Sequence, residues 1–293
     1  MKQIVINAPA KINLSLDVLS KREDGYHNID SIMQSVTLFD RIVFSRLDEK
    51  TEDFVKRISF FCTNSEIPCD EKNLAHRAAL SFFEYCKIDK YDIRIEIRKT
   101  IPVSAGLAGG SSDAAATLLA LNELYDTELS PDTLCEIGKT FGADVSFCIK
   151  RGTYRAGGIG EILEKLPPMP KIFMLVAIDG YGVSTPWAYG ELDRIEIRNR
   201  PNTKALIEAI EKGDADKIIK TVGNVFEEAV LPYHQKANAL HSKMKDLGAD
   251  AVLMSGSGPS VVGFFKDEKR ANFAKRKLKR LGIRSYVCEP YEP

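Results

Sequence analysis

Residues 101–116 carry the clearest chemical pattern in the chain, reading IPVSAGLAGGSSDAAA with three glycines and three serines. Glycine lets the backbone come close to a ligand and adopt positive φ. The first amides of a helix have no acceptor within that helix, so such an end binds anions, phosphate above all. The stretch therefore predicts a phosphate-binding loop that leads into a helix. A flexible connection followed by a capped helix is the alternative.

The sequence on either side of this loop predicts a strand before it and a helix after it. Ile93, Ile95 and Ile97 alternate with charged residues, which is typical of a half-buried strand. The helix should continue to Tyr125, with residues 111–113 at its N-cap and in its first turn. The loop has neither the Gly-Lys-Ser/Thr ending of a P-loop nor a G-x-G-x-x-G pattern, so a different fold must present it.

Two charged residues elsewhere are candidates for catalysis. Lys11 and Asn13 lie on the same polar face of a strand whose other face is apolar. A lysine at such a position is usually a solvated edge residue, so spacing alone leaves its role open. Asp144 lies in the small and apolar stretch FGADVSFC, where a buried carboxylate is costly unless it is paired. That cost indicates a functional residue, and a helix-capping aspartate is the alternative.

The stretch REDGYH, residues 22–27, is a polar turn that ends in an aromatic pair. By itself it predicts a hairpin turn with exposed rings. An aromatic face at Tyr26 and a neutral imidazole at His27 would also suit stacking on, and hydrogen bonding to, a nucleobase.

Composition excludes several classes of function. The 293 residues hold 41 basic and 41 acidic side chains, so no overall field favours nucleic acid or an anionic membrane. No apolar run reaches membrane-spanning length, and the N-terminus starts a strand pattern instead of a signal peptide. We therefore expect a cytoplasmic protein. The six cysteines are scattered without a C-x-x-C pair and are expected to be reduced thiols in or near the core.

Strand and helix patterns alternate irregularly along the chain, which predicts an α+β fold. Helix patterns cover residues 74–85 and 131–140, and a hairpin is expected at residues 251–265. A second glycine-rich stretch at residues 152–160, followed by three prolines, favours a domain boundary. We predict an N-terminal domain of residues 1–156 and a C-terminal domain of residues 157–293.

Residues 102–116 resemble the phosphate loop of the GHMP kinases, which include galactokinase, homoserine kinase, mevalonate kinase and phosphomevalonate kinase. Three other stretches resemble further motifs of this family in the expected order, APAKINL from Ala8, GADV from Gly142 and SGSGPS from Ser255. Ser146 departs from the family pattern, because many members have proline there. The resemblance covers nearly the whole chain and implies a two-domain kinase with ATP in the cleft between the domains.

The resemblance also implies roles for individual residues. Lys11 and Asp144 would be catalytic, and ATP with Mg²⁺ would be the phosphoryl donor. The implied ATP-binding residues are Asn73, Lys99, Pro102, Gly106, Leu107, Ala108, Gly109, Gly110, Ser111 and Ser112. Plain N-capping for Asn73 and an exposed strand-end charge for Lys99 are equally good explanations. No metal ligand can be assigned, and the Ser112 hydroxyl is only a weak candidate.

Within the family, DGYH resembles the branch that phosphorylates the 2-hydroxyl of 4-diphosphocytidyl-2-C-methyl-D-erythritol in non-mevalonate isoprenoid biosynthesis. There the tyrosine and histidine bind cytosine, and Tyr189 takes the place of an aromatic packed on cytosine. In the first motif of the whole family, the asparagine in the place of Asn13 helps to hold the substrate. The implied partners are small molecules, with no nucleic acid or membrane, and the protein would be a monomer or weak homodimer.

Two other functions are compatible with the residues. A GHMP kinase acting on another small alcohol, such as homoserine or a mevalonate derivative, would not need Tyr26, His27 and Tyr189 together. A non-catalytic ligand-binding regulator on the same fold is the other, since fold does not fix function. The presence of both Lys11 and Asp144 argues against the regulator.

Overall fold

The computed structural model describes residues 2–50 and 56–293. The strands, in chain order, are β1 (Lys2–Lys21), β2 (His27–Arg46), β3 (Lys56–Cys62), β4 (Tyr91–Arg98), β5 (Thr153–Gly157), β6 (Ile162–Lys165), β7 (Phe173–Ile178), β8 (Gly223–Asn224), β9 (Ala251–Met254), β10 (Val261–Phe265) and β11 (Arg284–Cys288). The helices are α1 (Leu74–Tyr85), α2 (Gly109–Leu124), α3 (Pro131–Lys139), α4 (Val145–Lys150), α5 (Thr185–Leu192), α6 (Thr203–Glu211), α7 (Ala215–Thr221), α8 (Phe226–Val230), α9 (Gln235–Asp246) and α10 (Glu268–Arg280). This mixture of helices and sheets confirms the predicted α+β class.

The chain forms two compact units, and each is discontinuous in sequence. Unit 1 comprises Met1–Ala10, Phe39–Ile101 and Ala108–Lys150. Unit 2 comprises Lys11–Leu38, Pro102–Leu107 and Arg151–Pro293. The predicted boundary between residues 156 and 157 divides the sequence by a single cut and stays a prediction.

Unit 1 contains strands β3 and β4, the end of β2, and helices that pack on one another. β3 pairs with β4 in parallel, and β4 pairs antiparallel with the end of β2, from Arg41 opposite Arg98 to Arg46 opposite Ile93. α1 packs against α2, and α2 packs against α4. The buried face of α1 consists of Ala75, Ala78, Ala79, Phe82 and Phe83. Tyr85, the last residue of α1, is 55% exposed.

In unit 2, β11, β7, β10 and β9 form a four-stranded antiparallel sheet in that order. α9 and α10 pack against this sheet. Their apolar side chains share a core with its strands, and its buried members are Leu175, Ala177, Leu240, Met244, Val261, Phe265, Ala271, Ala274 and Leu278. β9 and β10 are the two strands of the predicted hairpin.

The glycine-rich residues 152–160 are not a linker between structural elements. Thr153–Gly157 is strand β5, which pairs with β2 on one side and with β6 on the other. Positive φ occurs at Gly152, Gly158 and Gly160, so these glycines supply the bends at the two ends of the strand. The glycines alone did not indicate this strand, and the domain boundary predicted at this stretch stays a prediction.

Helix starts follow the side chains that cap them. Ser130 accepts a hydrogen bond from the Thr133 amide, with Pro131 as the first residue of α3. Ser184 caps α5 in the same way by accepting from the Trp187 amide. The start of α3 agrees with the helix predicted from residue 131.

Strand β1 is buried on both faces through its middle. Residues 8–18 are all buried, including the polar side chains of Lys11, Asn13, Ser15 and Asp17. The apolar alternation of this strand was predicted correctly. The solvated-edge alternative for Lys11 is wrong, because the polar face of β1 is covered as well.

None of the helices in the described ranges is long and apolar enough to span a membrane. All six cysteines are free thiols, as expected, and Cys135, Cys148 and Cys288 are buried, whereas Cys69 is exposed. Burial raises the pKa of the Cys288 thiol to about 12, so this side chain stays protonated.

Candidate active site

Helix α2 begins at Gly109, earlier than the serines that were expected to cap it. Its N-cap is Ala108, which has a left-handed backbone with φ of +53° and makes no side-chain capping bond. Ser111 and Ser112 therefore lie in the first turn, and no side chain at the N-cap satisfies the initial amides. An uncapped helix start preceded by glycine is suited to holding an anion.

Ser112 is buried and joins α2 to the first strand. Its hydroxyl donates to the Pro9 carbonyl oxygen at 2.7 Å, and the residue is 1% exposed. This hydroxyl therefore has a packing role within unit 1. Among the residues described, no group of three or more His, Cys, Asp or Glu side chains is placed to hold a metal ion. Ser112 as a ligand of Mg²⁺ stays a prediction.

Lys99, Asp40 and Asp113, which we call the buried ionic cluster, meet at the strand end before the phosphate loop. The Lys99 ammonium donates to Asp40 Oδ2 at 2.5 Å and to Asp113 Oδ2 at 2.6 Å. The three side chains are 5%, 0% and 5% exposed, respectively. The alternative of an exposed strand-end charge for Lys99 is therefore wrong. Its predicted contact with ATP stays a prediction.

Asp40 also fixes the backbone at the start of the loop. Its Oδ1 accepts hydrogen bonds from the amides of Thr100 at 2.5 Å and Ile101 at 2.9 Å. Asp113, one turn into α2, fixes the helix through Lys99. Lys99 precedes the phosphate loop and Asp113 follows it, so the buried ionic cluster connects the two ends of the loop.

The two carboxyl groups of the buried ionic cluster differ in hydrogen bonding. Asp40 has three donors, whereas Asp113 Oδ1 has no hydrogen-bond partner among the described residues. Burial raises the pKa of Asp113 to about 8, against the attraction of the Lys99 ammonium. Burial disfavours the charged form of Lys99, but the Asp113 and Asp40 carboxylates outweigh it and raise the Lys99 pKa. A protonated Asp113 would leave Lys99 and Asp40 as one balanced ion pair.

Asn73 is the N-cap of α1, as the capping alternative proposed. Its Oδ1 accepts from the Ala75 amide at 2.9 Å, and its Nδ2 donates to the Pro68 carbonyl at 3.0 Å. The predicted ATP contact of Asn73 stays a prediction.

In unit 2, Lys11 heads a chain of buried hydrogen bonds along β1 and β2. The Lys11 ammonium donates to Asn13 Oδ1 at 2.7 Å, and Asn13 Nδ2 donates to the Ser31 hydroxyl at 2.8 Å. Ser31 in turn donates to the Ser15 carbonyl at 2.6 Å. The Lys11 amide donates to the Leu107 carbonyl at 3.1 Å, so the phosphate loop adjoins this strand. The chain fixes the orientation of the Asn13 amide and of the lysine.

The stretch SGSGPS at residues 255–260 packs against the phosphate loop at Gly106. Gly106 has a φ of +74°, and a Cβ there would lie 2.1 Å from the Ser255 carbonyl oxygen. The Ser255 hydroxyl donates to the Gly106 carbonyl at 3.0 Å. Residue 106 therefore has to be glycine for this contact to form.

His27 is the centre of a second group of side chains in unit 2. Its ring stacks on Tyr189, with a centroid distance of 4.6 Å and an interplanar angle of 22°. His27 is 8% exposed, whereas the neighbouring Tyr26 is 60% exposed. The structure thus brings two of the three residues predicted to bind a nucleobase into contact. Tyr26 ends the turn between β1 and β2, which confirms the predicted hairpin turn. The accompanying prediction of exposed rings is correct for Tyr26 and wrong for His27, whose ring is covered by Tyr189.

Asp193 belongs to the same group but was not recognised from the sequence. Its Oδ1 lies 2.7 Å from His27 Nε2, and its Oδ2 accepts from the Lys21 ammonium at 2.6 Å. We call Lys21, Asp193 and His27 the histidine group. The available signal was the helical register, because Asp193 follows Tyr189 by four residues and so lies on the same face of α5.

Asp144 lies in unit 1, at the residue before α4. It is half-buried, and its carbonyl accepts the first helical hydrogen bond from the Cys148 amide at 3.0 Å. Lys11 belongs to unit 2. The catalytic and the helix-capping predictions for the Asp144 side chain both stay open.

Comparison with known proteins places these features among the GHMP kinases. A model of the GHMP kinases N terminal domain matches residues 73–152, and one of the GHMP kinases C terminal matches residues 206–284. A 4-diphosphocytidyl-2-C-methyl-D-erythritol kinase from Bacillus cytotoxicus is 45% identical over 268 residues, which are 92% of this chain and 90% of the relative.

Solved structures of such kinases resemble the present one. The crystal structure of a 4-(cytidine 5'-diphospho)-2C-methyl-D-erythritol kinase matches with a TM-score of 0.82 and 31% identity, covering 99% of this chain and 100% of the other. The homoserine kinase from Cytophaga hutchinsonii matches with a TM-score of 0.74 and 19% identity, covering 99% of this chain and 95% of the other. At that identity the second likeness concerns the fold alone.

Proposed function

Because the chain belongs to the GHMP kinases, and among them to the 4-diphosphocytidyl-2-C-methyl-D-erythritol kinases, we propose that it phosphorylates the 2-hydroxyl of that diphosphocytidyl alcohol with ATP. This reaction is a step of non-mevalonate isoprenoid biosynthesis. The observation that carries the substrate assignment is the stack of His27 on Tyr189. A buried imidazole held against an aromatic ring offers a nucleobase a hydrogen-bonding edge beside a flat surface. Homoserine and mevalonate have no base that would need either feature.

Phosphoryl transfer needs alignment and charge neutralisation more than covalent chemistry from the protein. In the proposed reaction, the 2-hydroxyl oxygen attacks the γ-phosphorus of ATP, the bond to the β-phosphate oxygen breaks, and ADP leaves. Asp144 accepts the hydroxyl proton, and Lys11 stabilises the developing alkoxide. The motif resemblance supports both roles. The burial of Lys11 and its bond to Asn13 support a lysine held in one orientation.

The phosphate loop supplies the remaining protein contribution. We assign triphosphate binding to the backbone of Gly106 to Ser112, where glycines and the uncapped start of α2 present amides. Mg²⁺ bound with ATP would neutralise phosphate charge during transfer. Adenine contacts from Asn73 and Lys99 belong to the same proposal. For the substrate, we assign cytosine binding to Tyr26, His27 and Tyr189 and alcohol binding to Asn13.

Other properties of the protein follow less directly. The two family models match on either side of the boundary between residues 156 and 157, which supports the division into an N-terminal ATP-binding domain and a C-terminal substrate-binding domain. The cytoplasmic location, the absence of nucleic acid or membrane partners, and the monomeric or weakly dimeric state stay predictions.

The test is an ADP-release assay with ATP, Mg²⁺ and three alcohols: the diphosphocytidyl methylerythritol, mevalonate and homoserine. Turnover of the first alone is expected. Replacing Asp144 by alanine should lower kcat by about 10²- to 10⁴-fold while ATP binding stays intact. Turnover of another alcohol would remove the cytosine role of His27. An absence of ADP release with all three alcohols would favour a ligand-binding regulator.

A further inference from the structure

The contact between His27 and Asp193 determines which ring nitrogen of His27 carries the proton. A carboxylate oxygen only accepts hydrogen bonds, so the 2.7 Å contact between His27 Nε2 and Asp193 Oδ1 places a proton on Nε2. A hydrogen bond from Lys21 is the largest of the effects that hold the pKa of Asp193 below its usual value. The carboxylate is therefore ionised at neutral pH and able to accept this proton.

Lys21 also balances the charge of Asp193. The Lys21 ammonium and the Asp193 carboxylate form an ion pair at 2.6 Å. The Asp193 carboxylate therefore already has a cation beside it, apart from any charge on His27. In a neutral imidazole with its proton on Nε2, Nδ1 carries a lone pair and accepts hydrogen bonds.

This arrangement depends on three elements that meet at one end of unit 2. Lys21 ends β1, His27 begins β2, and Asp193 is the C-cap residue of α5. The Asp193 amide donates to the Tyr189 carbonyl at 2.9 Å, so one turn of α5 supplies both the stacking ring and the carboxylate. The ring face and the protonated nitrogen of His27 are thus fixed by the same helix.

Cytosine and uracil differ at C4, where the substituent can form a hydrogen bond with a ring nitrogen such as Nδ1. Cytosine carries an amino group at C4, which donates, whereas uracil, like thymine, carries an oxygen there, which accepts. A nitrogen with a lone pair accepts a hydrogen bond from the amino group of cytosine, whereas the lone pairs of the uracil oxygen repel it. An N–H donor in the same place would have the reverse preference.

We propose that Asp193 is a specificity-determining positioning residue, which fixes the Nε2–H tautomer of His27 so that the Nδ1 lone pair selects cytosine over uracil. The inference rests on the proposed function, because it takes the diphosphocytidyl alcohol as substrate. It adds a residue that acts through His27 without touching the base. Without the carboxylate, His27 can place its proton on Nδ1 and accept a uracil base.

The test compares the cytidine substrate with its uridine counterpart in the intact protein. The ratio of kcat/KM for the two substrates is measured in the wild type and in Asp193→Asn, whose amide can donate to Nε2. We expect the preference for cytidine to fall by about tenfold to a hundredfold, the size of a good base contact. The loss should appear mainly in KM for the alcohol, with KM for ATP unchanged. Asp193→Glu should restore part of the preference.

Asp216→Asn is the matched control, because Asp216 also pairs with a lysine, Lys266, in unit 2. This variant should keep the wild-type preference. An Asp193→Asn variant that turns over substrate with an unchanged ratio would overturn the inference.

A second measurement does not depend on turnover. Nitrogen-15 NMR distinguishes the two histidine tautomers, and the chain has only four histidines to assign. The His27 proton is expected on Nε2 in the wild type and on Nδ1, at least in part, in Asp193→Asn. A wild-type proton on Nδ1 would contradict the inference. Wild-type protein that phosphorylates neither nucleotide alcohol, yet shows the expected tautomer, would contradict the proposed function instead.

Discussion

The buried ionic cluster of unit 1 and the histidine group of unit 2 use similar side chains in opposite surroundings. In the first, Lys99 and its two aspartates are at most 5% exposed. In the second, Lys21 is 58% exposed and Asp193 is 30% exposed. Removing one member of a buried set leaves an uncompensated charge, whereas an exposed ion pair contributes little to stability. We therefore expect the first to stabilise the fold of the phosphate loop, and the second to affect the orientation of His27 more than stability.

The largest effect is expected when the ammonium is removed from the buried ionic cluster. Lys99→Met leaves Asp40 and Asp113 buried without their cation, so the free energy of unfolding should fall by about 3–5 kcal/mol. Urea denaturation measures this loss. Lys56→Met is the control, because Lys56 pairs with Asp89 at the surface, where an ion pair contributes little, and the variant should keep nearly the wild-type stability. An equal loss of unfolding free energy in Lys99→Met and Lys56→Met would show that burial does not make the buried ionic cluster more important for stability than a surface ion pair.

A pH-dependent difference is expected for the Asp113 carboxyl. Its pKa of about 8 in the folded state exceeds the value of about 4 in an unfolded chain. Between these two values the folded state binds more protons, so this group makes the free energy of unfolding fall as the pH rises. Asp113→Asn removes that contribution. Urea denaturation at several pH values from 5 to 8 should therefore show a flatter pH dependence in the variant than in the wild type.

The exposed carboxylate of Asp126, which pairs with Lys2, offers a control for this experiment. Asp126→Asn should keep the wild-type slope of stability against pH. A wild-type stability that is level or rises across this range, in parallel with Asp113→Asn, would mean that Asp113 is ionised in the folded protein.

Local patterns in the sequence predicted most of the elements but few of these contacts. The strand before the phosphate loop follows from the alternation of Ile93, Ile95 and Ile97, and the starts of α3 and α5 follow from Ser130 and Ser184. These features depend on residues within one or two turns of each other. The cap of α2 was missed, because Ala108 adopts a left-handed backbone that its residue type does not indicate.

Contacts between distant residues could not be predicted in this way. Lys99 was expected at the surface or near adenine, but Asp40, which pairs with it, is 59 residues away in the sequence. Asp193 is 166 residues from His27, and no local pattern connects them. The predicted chemistry of the site rests on the residue types at Lys11, His27 and Tyr189. The partners that orient such side chains follow from the tertiary fold alone.

A smaller effect on stability is expected in the histidine group. Asp193→Asn removes one charge from a partly exposed set, so the free energy of unfolding should change by less than about 1 kcal/mol. The same variant is expected to lose cytidine preference. Urea denaturation measures the change in stability, and the ratio of kcat/KM for the cytidine and uridine substrates measures the effect on base preference. Together they distinguish a role in orienting His27 from a role in stabilising the fold. A loss as large as that of Lys99→Met would show that Asp193 supports the fold, and the comparison between the two sets would fail.

The smallest effect is expected for Lys21, which touches neither the imidazole nor the proposed base. Lys21→Met should change the free energy of unfolding by less than about 0.5 kcal/mol, since its side chain is largely solvated. It should raise the pKa of Asp193 towards the ordinary range, because the lysine hydrogen bond is the largest cause of the lowered value. The Asp193–His27 hydrogen bond would remain, so the cytidine preference should fall less than in Asp193→Asn. The ratio of kcat/KM for the cytidine and uridine substrates, measured in both variants, shows which of them loses more of the cytidine preference. A larger loss in Lys21→Met than in Asp193→Asn would mean that the lysine, and not the carboxylate, determines which base is accepted.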